Sequence, residues 1–223
     1  MTQQLNGPFI SPAAGQARQM VMFLHGYGAN GQDLLSVGEE WQEHLPEAVF
    51  IAPNAPEVCE AWAAGYQWFS LREKLETISL NNLIDRAGRI DAPAQLLSAY
   101  IDQQLKHWGI EDKNLAVVGF SQGAMMAMYT MPRRAKSCAG IIGYSGMLIG
   151  AAGLKASGIS KAPVLAIHGD ADDVVPPESL VEVDQGFRAA GFDVEAILRP
   201  RLGHGIDEFG LARGLEFLKS AFR

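Results

Sequence analysis

Residues 115–131 of the chain have the sequence LAVVGFSQGAMMAMYTM. The run 115–120 is continuously apolar, which is typical of a strand buried on both faces, and the run 122–131 predicts a helix. The G-x-S-x-G pattern at 119–123 joins the two. A sharp strand-to-helix turn strains its central residue and presents the hydroxyl at the helix N-terminus, where developing negative charge is stabilised. We therefore predict that Ser121 is a nucleophile; the alternative is a helix-capping serine between two glycines.

A serine nucleophile needs a base, and the chain has five histidines. In a strand–turn–helix architecture of this kind the nucleophile, the acid and the base follow in that order, which leaves His168 and His204. His204 lies in the segment RLGHG (201–205), between the last predicted strand and the last predicted helix. Flanking glycines leave its imidazole accessible, whereas His168 ends a strand and is expected to bond locally. We predict His204 as the base.

The acid is expected just past the next-to-last strand, in the segment HGDADDVVPP (168–177). One of Asp170, Asp172 and Asp173 must accept the Nδ1–H of the base and stabilise the imidazolium that forms during attack. Spacing alone does not choose among the three. A calcium loop needs Gly at its sixth position, where this segment has a valine, so no metal is predicted.

A glycine-rich turn follows the first long strand, in the segment LHGYGANG (24–31). Its three glycines match the dinucleotide pattern G-x-G-x-x-G, but the next strand ends in PNAP (53–56), without the carboxylate that would bind a ribose. The favoured interpretation is a turn whose backbone N–H points at an oxyanion, together with the N–H of Gln122. His25 is then expected to hold the turn rather than to act as a base.

Short apolar runs alternate with helical patterns along the rest of the chain. The predicted strands are 19–25, 48–52, 115–120, 139–144, 164–168 and 194–199, and the predicted helices are 33–41, 92–108, 122–131, 177–190 and 206–221. This alternation predicts an α/β fold with a mostly parallel central sheet and helices on both faces. We expect a single domain over residues 1–223, interrupted by an irregular loop at 54–91 that is rich in aromatic residues.

Composition narrows the function classes. The chain has 223 residues, 48% of them apolar and 19% charged, which excludes wholesale disorder, and a net charge of −7, which disfavours nucleic acid as a partner. Two cysteines allow at most one disulfide. We see neither a signal peptide nor an apolar run long enough to span a membrane, so a cytoplasmic protein without stable membrane insertion is expected.

The motifs together resemble the carboxylesterase/phospholipase family of small cap-less α/β-hydrolases, which includes the acyl-protein thioesterases. The matching segments are 23–28, 52–56, 119–123, 144–146, 168–176 and 202–204. The resemblance implies an α/β-hydrolase fold without a separate cap domain. It places the catalytic acid at Asp172 and the oxyanion donors at the backbone N–H groups of Tyr27 and Gln122. Tyr27 stands where the family usually has an aliphatic residue.

The family's position for a short lid-like segment matches the aromatic part of the 54–91 loop. Trp68 and Phe69 are expected to bind substrate in an apolar acyl groove, with Trp62 in the core. The alternative is that these aromatics only plug the edge of the core.

The resemblance implies a serine carboxylesterase that hydrolyses esters of short to medium acyl chains, with Ser121, His204 and Asp172 as its triad and no cofactor or metal. The alternative within the family is a lysophospholipase or acyl-protein thioesterase that acts on long acyl chains. A dienelactone-hydrolase-like enzyme is disfavoured because that family has Cys at the position of Ser121, and a non-enzymatic module is disfavoured by the complete triad. The expected partner is a small-molecule or lipid ester, and a homodimer is left open because an apolar groove serves equally well as a contact between two copies.

Overall fold

The strands of the protein form one seven-stranded sheet and one short hairpin in the computed structural model, which describes residues 5–71 and 87–223. Their bounds are β1 Phe9–Ile10, β2 Gln19–Leu24, β3 Ala48–Ile51, β4 Glu57–Val58, β5 Tyr66–Gln67, β6 Leu115–Phe120, β7 Gly140–Tyr144, β8 Val164–Gly169 and β9 Val194–Arg199. The helices are α1 Gly31–Trp41, α2 Ala87–Trp108, α3 Gln122–Thr130, α4 Ser179–Ala189 and α5 Glu208–Ala221, with 3₁₀ turns at Asp112–Asn114, Met131–Arg133 and Ala151–Lys155.

The main sheet has the order β1-β3-β2-β6-β7-β8-β9. All of its neighbours are parallel except β1 and β3, and β4 pairs with β5 in the separate antiparallel hairpin. Parallel strands bring their carboxyl ends to one edge, where open α/β sheets bind ligands. The glycine-rich turn after β2, Ser121 after β6 and the aspartate segment after β8 therefore all lie at this edge.

Two apolar cores lie on opposite faces of the sheet, because successive strand residues point to opposite sides. On β2, Val21 and Phe23 join the core covered by α1 and α5, while Met22 and Leu24 join the core covered by α2, α3 and α4. The predicted mostly parallel sheet with helices on both faces is confirmed. No helix in the described ranges 5–71 and 87–223 is long and apolar enough to cross a membrane.

Element bounds differ from the sequence prediction at a few places. The two-residue strand β1 was not predicted, because a pattern of two residues carries no periodicity. Helix α2 begins at Ala87 rather than at residue 92, with Pro93 in its interior, where a proline more often marks the first turn. Helix α3 gives way to a 3₁₀ turn at Met131, because Pro132 cannot continue the α-helical hydrogen bonding.

The loop predicted at 54–91 is therefore shorter than expected. Residues 54–71 contain the β4–β5 hairpin, residues 87–91 belong to α2, and residues 72–86 lie outside the described residues. The expectation for Trp62 is wrong, because its side chain is 65% exposed at the hairpin turn instead of lying in the core. Hairpin turns face the solvent, and sequence pattern alone did not separate this tryptophan from its buried neighbours.

Candidate active site

Ser121 occupies the turn between β6 and α3 in a strained conformation, with φ 54° and ψ −119°. A non-glycine residue at positive φ is uncommon and marks a backbone held in place by its surroundings. A Cβ added at Gly119 would come within 2.4 Å of the Gly123 backbone, and one added at Gly123 within 1.9 Å of the Leu24 carbonyl oxygen. The two glycines of the G-x-S-x-G pattern are therefore required by strand–helix contact.

Ser121, His204 and Asp172 are joined by hydrogen bonds. The Ser121 hydroxyl lies 3.0 Å from His204 Nε2, and His204 Nδ1 lies 2.8 Å from Asp172 Oδ2. The side chain of Asp172 has no exposed surface, and its other oxygen accepts 2.9 Å bonds from the backbone N–H groups of Val174 and Val175. This geometry lets the imidazole accept a proton from the hydroxyl while the carboxylate orients it.

The three carboxylates after β8 have different surroundings. Asp170 and Asp173 are exposed, and Asp170 accepts a hydrogen bond from the Arg201 N–H at a turn. Burial by itself raises the pKa of Asp172, but hydrogen bonds from His204, Val175 and Val174 outweigh it and leave that pKa below its usual value. Asp172 is thus the carboxylate that contacts His204 and favours its ionised form.

His168 is buried beside the same carboxylate. Its Nε2 lies 3.0 Å from the Val175 carbonyl oxygen and 3.2 Å from Asp172 Oδ2. Both of these neighbours are acceptors, so Nε2 must carry the proton. His168 therefore bonds locally, as expected, and adds a donor to Asp172 that the sequence pattern did not reveal.

The glycine-rich turn after β2 is a tight turn in which the Ala29 N–H donates to the Gly26 carbonyl oxygen over 3.2 Å. Gly28 has φ +80°, the conformation that the third position of a type II turn requires. His25 holds this turn: its Nε2 accepts the Ala55 N–H at 3.0 Å, so its Nδ1–H donates to the Gly26 carbonyl oxygen at 2.7 Å. Burial lowers the pKa of His25 despite the opposing effects of that carbonyl and of Asp33, which favours this neutral tautomer.

The side chain of Gln122 clamps the loop that follows the hairpin. Its Oε1 accepts the Trp68 N–H at 2.8 Å, and its Nε2 donates to the Phe69 carbonyl oxygen at 2.7 Å. As the first residue of α3, Gln122 has a backbone N–H without an acceptor inside the helix. The residue expected to bind the oxyanion is thus tied by its side chain to residues 68 and 69.

The side chain of Tyr27 reaches the same loop through Glu60. Its hydroxyl donates to Glu60 Oε1 at 3.2 Å, and Glu60 also accepts from the Ser70 hydroxyl at 2.7 Å and from the Leu71 N–H at 2.8 Å. Burial, aided by neighbouring Cys59 and Glu60, raises the pKa of the Tyr27 phenol, which stays protonated and able to donate. Both predicted oxyanion residues are therefore linked to segment 68–71.

A cavity of about 390 Å³ opens beside Ser121 and His204. Its remaining lining residues are Gly26, Tyr27, Ala29, Phe69, Leu71, Phe120, Gln122, Met125, Met147, Val174 and Val175. Phe69 lines this cavity, but Trp68 does not: it is 1% exposed, and its indole N–H donates to the His25 carbonyl oxygen at 3.0 Å. Trp68 therefore lies behind the glycine-rich turn that follows β2, outside this cavity, which agrees with the alternative that this aromatic side chain fills the edge of the core.

Outside the surroundings of Ser121, the features of interest are a second pocket and the arrangement of side chains that could ligate a metal. A larger hollow of about 570 Å³ lies between the N-terminal strand and the end of α2, around Phe9 and Trp108, and is lined by none of Ser121, His204 and Asp172. Within residues 5–71 and 87–223, no cluster of three His, Cys, Asp or Glu side chains is arranged to hold a metal ion.

Several known esterases and thioesterases are similar to this chain. It is 26% identical to Esterase YpfH of Escherichia coli over 91% of this chain and 83% of that protein, and 28% identical to Acyl-protein thioesterase 1 of Gibberella zeae over 88% of each. The crystal structure of esterase PE8 superposes with a TM-score of 0.91 at 36% identity, covering 98% of this chain and 99% of that one.

The family profile described as Phospholipase/Carboxylesterase matches residues 5–221, nearly the whole chain. The sheet order, the helices on both faces and the strained serine turn are those of an α/β-hydrolase fold. The chain therefore belongs to the phospholipase/carboxylesterase family and is a serine hydrolase that acts on ester bonds.

Proposed function

We propose that the protein is a carboxylesterase in which Ser121 is the nucleophile, His204 the general base and Asp172 the residue that orients His204. The observation that carries this proposal is the chain of 3.0 Å and 2.8 Å hydrogen bonds from the serine hydroxyl through the imidazole to the buried carboxylate. The strained turn at Ser121 supports it, since such a turn exposes the hydroxyl above the sheet.

The reaction proceeds in two halves. Ser121 Oγ attacks the ester carbonyl carbon while His204 Nε2 takes its proton, and the tetrahedral oxyanion is held by the backbone N–H groups of Tyr27 and Gln122. The imidazolium then gives its proton to the leaving alcohol oxygen as the C–O bond breaks. Water repeats the attack on the acyl-enzyme, again with His204 as the base, and releases the acid.

The acyl group occupies the cavity beside Ser121. Its volume of about 390 Å³ lies near the lower end of the range of ligand pockets, about 300–1,000 Å³. Apolar side chains such as Phe69, Met125 and Val175 face it, which suits an acyl chain and disfavours a charged group. Short to medium chains are therefore the substrates that this cavity fits best.

A second candidate is a lysophospholipase or acyl-protein thioesterase for long acyl chains. The observation that favours it is the pair Met125 and Met147 in the cavity lining, because methionine side chains are flexible and adapt to ligands of different length. The similarity to proteins named acyl-protein thioesterase points the same way.

A panel of p-nitrophenyl esters from acetate to palmitate, assayed beside matched acyl thioesters, separates the two candidates. We expect kcat/KM to be highest with butanoate or hexanoate and to fall steeply at palmitate. A rise that continues to palmitate, with thioesters preferred, would establish the second candidate instead. The Ser121→Ala variant is the control for hydrolysis outside the site, and labelling of wild-type protein but not of this variant by a fluorophosphonate probe tests the nucleophile itself.

A further inference from the structure

A second apolar depression of about 250 Å³ adjoins the catalytic cavity. It shares Gly26, Ala29 and Phe120 with that cavity and extends from them between Leu34 of α1 and Ile206 of the loop before α5. Leu34, Phe120 and Ile206 are partly buried side chains packed on the core that α1 and α5 cover. The depression, which we call the α1 groove, therefore lies on the opposite side of the sheet edge from the acyl cavity.

The α1 groove begins next to the reacting atoms. A Cβ placed at Gly26 would lie 3.3 Å from Ser121 Cβ and 3.2 Å from Phe120 Cδ1, so the bare backbone of this glycine separates the groove from the nucleophile. The His204 ring lies against the Phe120 ring with 4.9 Å between their centroids. Phe120 lines both spaces, so it connects the part of the catalytic cavity that His204 lines with the α1 groove.

The reaction places the leaving alcohol on the side of the carbonyl carbon that faces His204. When the tetrahedral intermediate collapses, the bond between the carbonyl carbon and the alcohol oxygen breaks, and that oxygen takes the proton which His204 received from Ser121. The acyl part remains bound to Ser121 Oγ and occupies the catalytic cavity. An ester of an apolar alcohol thus has two apolar parts to bind, the acyl chain and the alcohol, on different sides of the carbonyl carbon.

We propose, on the basis of the proposed function, that the α1 groove binds an apolar alcohol portion of the ester while the cavity beside Ser121 binds the acyl chain. The substrates it implies are neutral esters of alkyl or aryl alcohols. Charge supports this choice, because the exposed carboxylate of Asp33 lies at the edge of the groove and repels an anionic leaving group.

The test varies the alcohol while the acyl chain stays constant. Methyl, hexyl and 2-naphthyl butanoate are assayed with the wild type, with Leu34→Ala and with Ile206→Ala. We expect each variant to lose about tenfold in kcat/KM for hexyl and 2-naphthyl butanoate and less than about twofold for methyl butanoate, as expected when a few methylene contacts are removed from a pocket. Val181→Ala, which shortens an exposed aliphatic side chain on α4, is the matched control and leaves all three values unchanged.

Two further measurements make the outcome decisive. Titration with a fluorophosphonate probe counts competent sites, so equal losses on all three esters after this correction would overturn the proposal by showing a general structural effect. A methyl ester series of increasing acyl length tests the other occupant: if Leu34→Ala changes the preferred acyl length, the groove holds the acyl chain and the proposal fails. A wild type inactive on all three butanoates contradicts the proposed function, whereas a wild type that hydrolyses all three equally well contradicts only the role of the α1 groove.

Discussion

At Ser121 the backbone carries strain that a different residue would relieve. Its φ of 54° is accessible to glycine without steric cost. We expect Ser121→Gly to be more stable than Ser121→Ala by about 1 kcal/mol, because the relief of about 1–3 kcal/mol is partly offset by the greater chain entropy of glycine. Chemical denaturation of the two inactive variants measures the difference, and equal stabilities would show that the turn is not strained.

The three aspartates after β8 provide an internal comparison. Asp172→Asn removes the carboxylate that contacts His204, and in a well-studied triad such a change lowers kcat by about 10⁴. Asp170→Asn and Asp173→Asn change exposed side chains that do not contact His204 and are expected to keep nearly full activity. Steady-state kinetics with p-nitrophenyl butanoate tests this, and similar losses at all three positions would refute the assignment of Asp172.

The sign of the pH dependence of stability follows from two carboxylates. Asp172 and Asp207 both have a lowered pKa, because hydrogen bonds from His204 and Arg199 respectively outweigh the effect of burial, which alone would raise it. A lowered pKa in the folded state stabilises the protein above the unfolded value, about 3.9, and this contribution is lost as the pH falls through the folded pKa. We therefore expect thermal stability to fall steeply in acid.

The Asp207→Asn variant isolates one of these contributions. It is expected to have a lower Tm than the wild type at about pH 6 and to lose less stability than the wild type as the pH is lowered to about 3. Asp173→Asn is the control, since Asp173 is exposed, whereas Asp207 caps the N-terminus of α5 by accepting the Gly210 N–H at 2.8 Å. Parallel Tm curves for Asp207→Asn and the wild type would contradict the assigned contribution.

At the scale of elements, the glycine-rich turn after β2 and segment 68–71 are held together by side chains. Tyr27→Phe keeps the backbone N–H but removes the hydrogen bond to Glu60, the carboxylate that also binds Ser70 and Leu71. We expect kcat to fall by about tenfold, which is less than the 10²–10³ that loss of a whole oxyanion donor costs. Tyr100→Phe, at a buried tyrosine of α2, serves as the control and keeps the wild-type kcat.

A double-mutant cycle decides whether Tyr27 and Glu60 act as a unit. If they do, Tyr27→Phe combined with Glu60→Ala costs less than the sum of the two separate changes, because the Tyr27–Glu60 hydrogen bond is lost in each of them. Fully additive losses would show that the two residues act on the reaction independently.

The sequence predicted the long strands well and the short or irregular elements poorly. The bounds of β6 and β9 were predicted to the residue. For β6 the reason is its continuous apolar run, which identifies a strand buried on both faces, whereas β9 is only partly buried at the edge of the sheet. The burial of Trp62 was misjudged, and the sequence left open whether Trp68 lines an acyl groove or fills the core. Burial within a hairpin and its flanks depends on which backbone groups find partners, such as the His25 carbonyl that accepts from Trp68. Spacing likewise left three aspartates open, and their contacts distinguish them only in the folded chain.

At the scale of the whole molecule, we propose that the chain unfolds as one domain. The two cores share the strands of the main sheet, and β2 alone contributes Val21 and Phe23 to one face and Met22 and Leu24 to the other. Loss of either core therefore exposes one face of every shared strand and destabilises the other core. This arrangement predicts a single cooperative transition.

Tryptophan fluorescence can follow each core separately. Trp41 lies in the core covered by α1 and α5, and Trp68 lies in the opposite core, so Trp41→Phe and Trp68→Phe each remove the buried reporter of one core. The other two tryptophans of the chain, Trp62 and Trp108, are kept in both variants. In urea, we expect fluorescence and far-ultraviolet circular dichroism to give the same midpoint within each variant. Distinct midpoints for fluorescence and circular dichroism would show that parts of the chain unfold independently. In that case the loss of one core would change the fluorescence while the strands stay hydrogen-bonded on the other core.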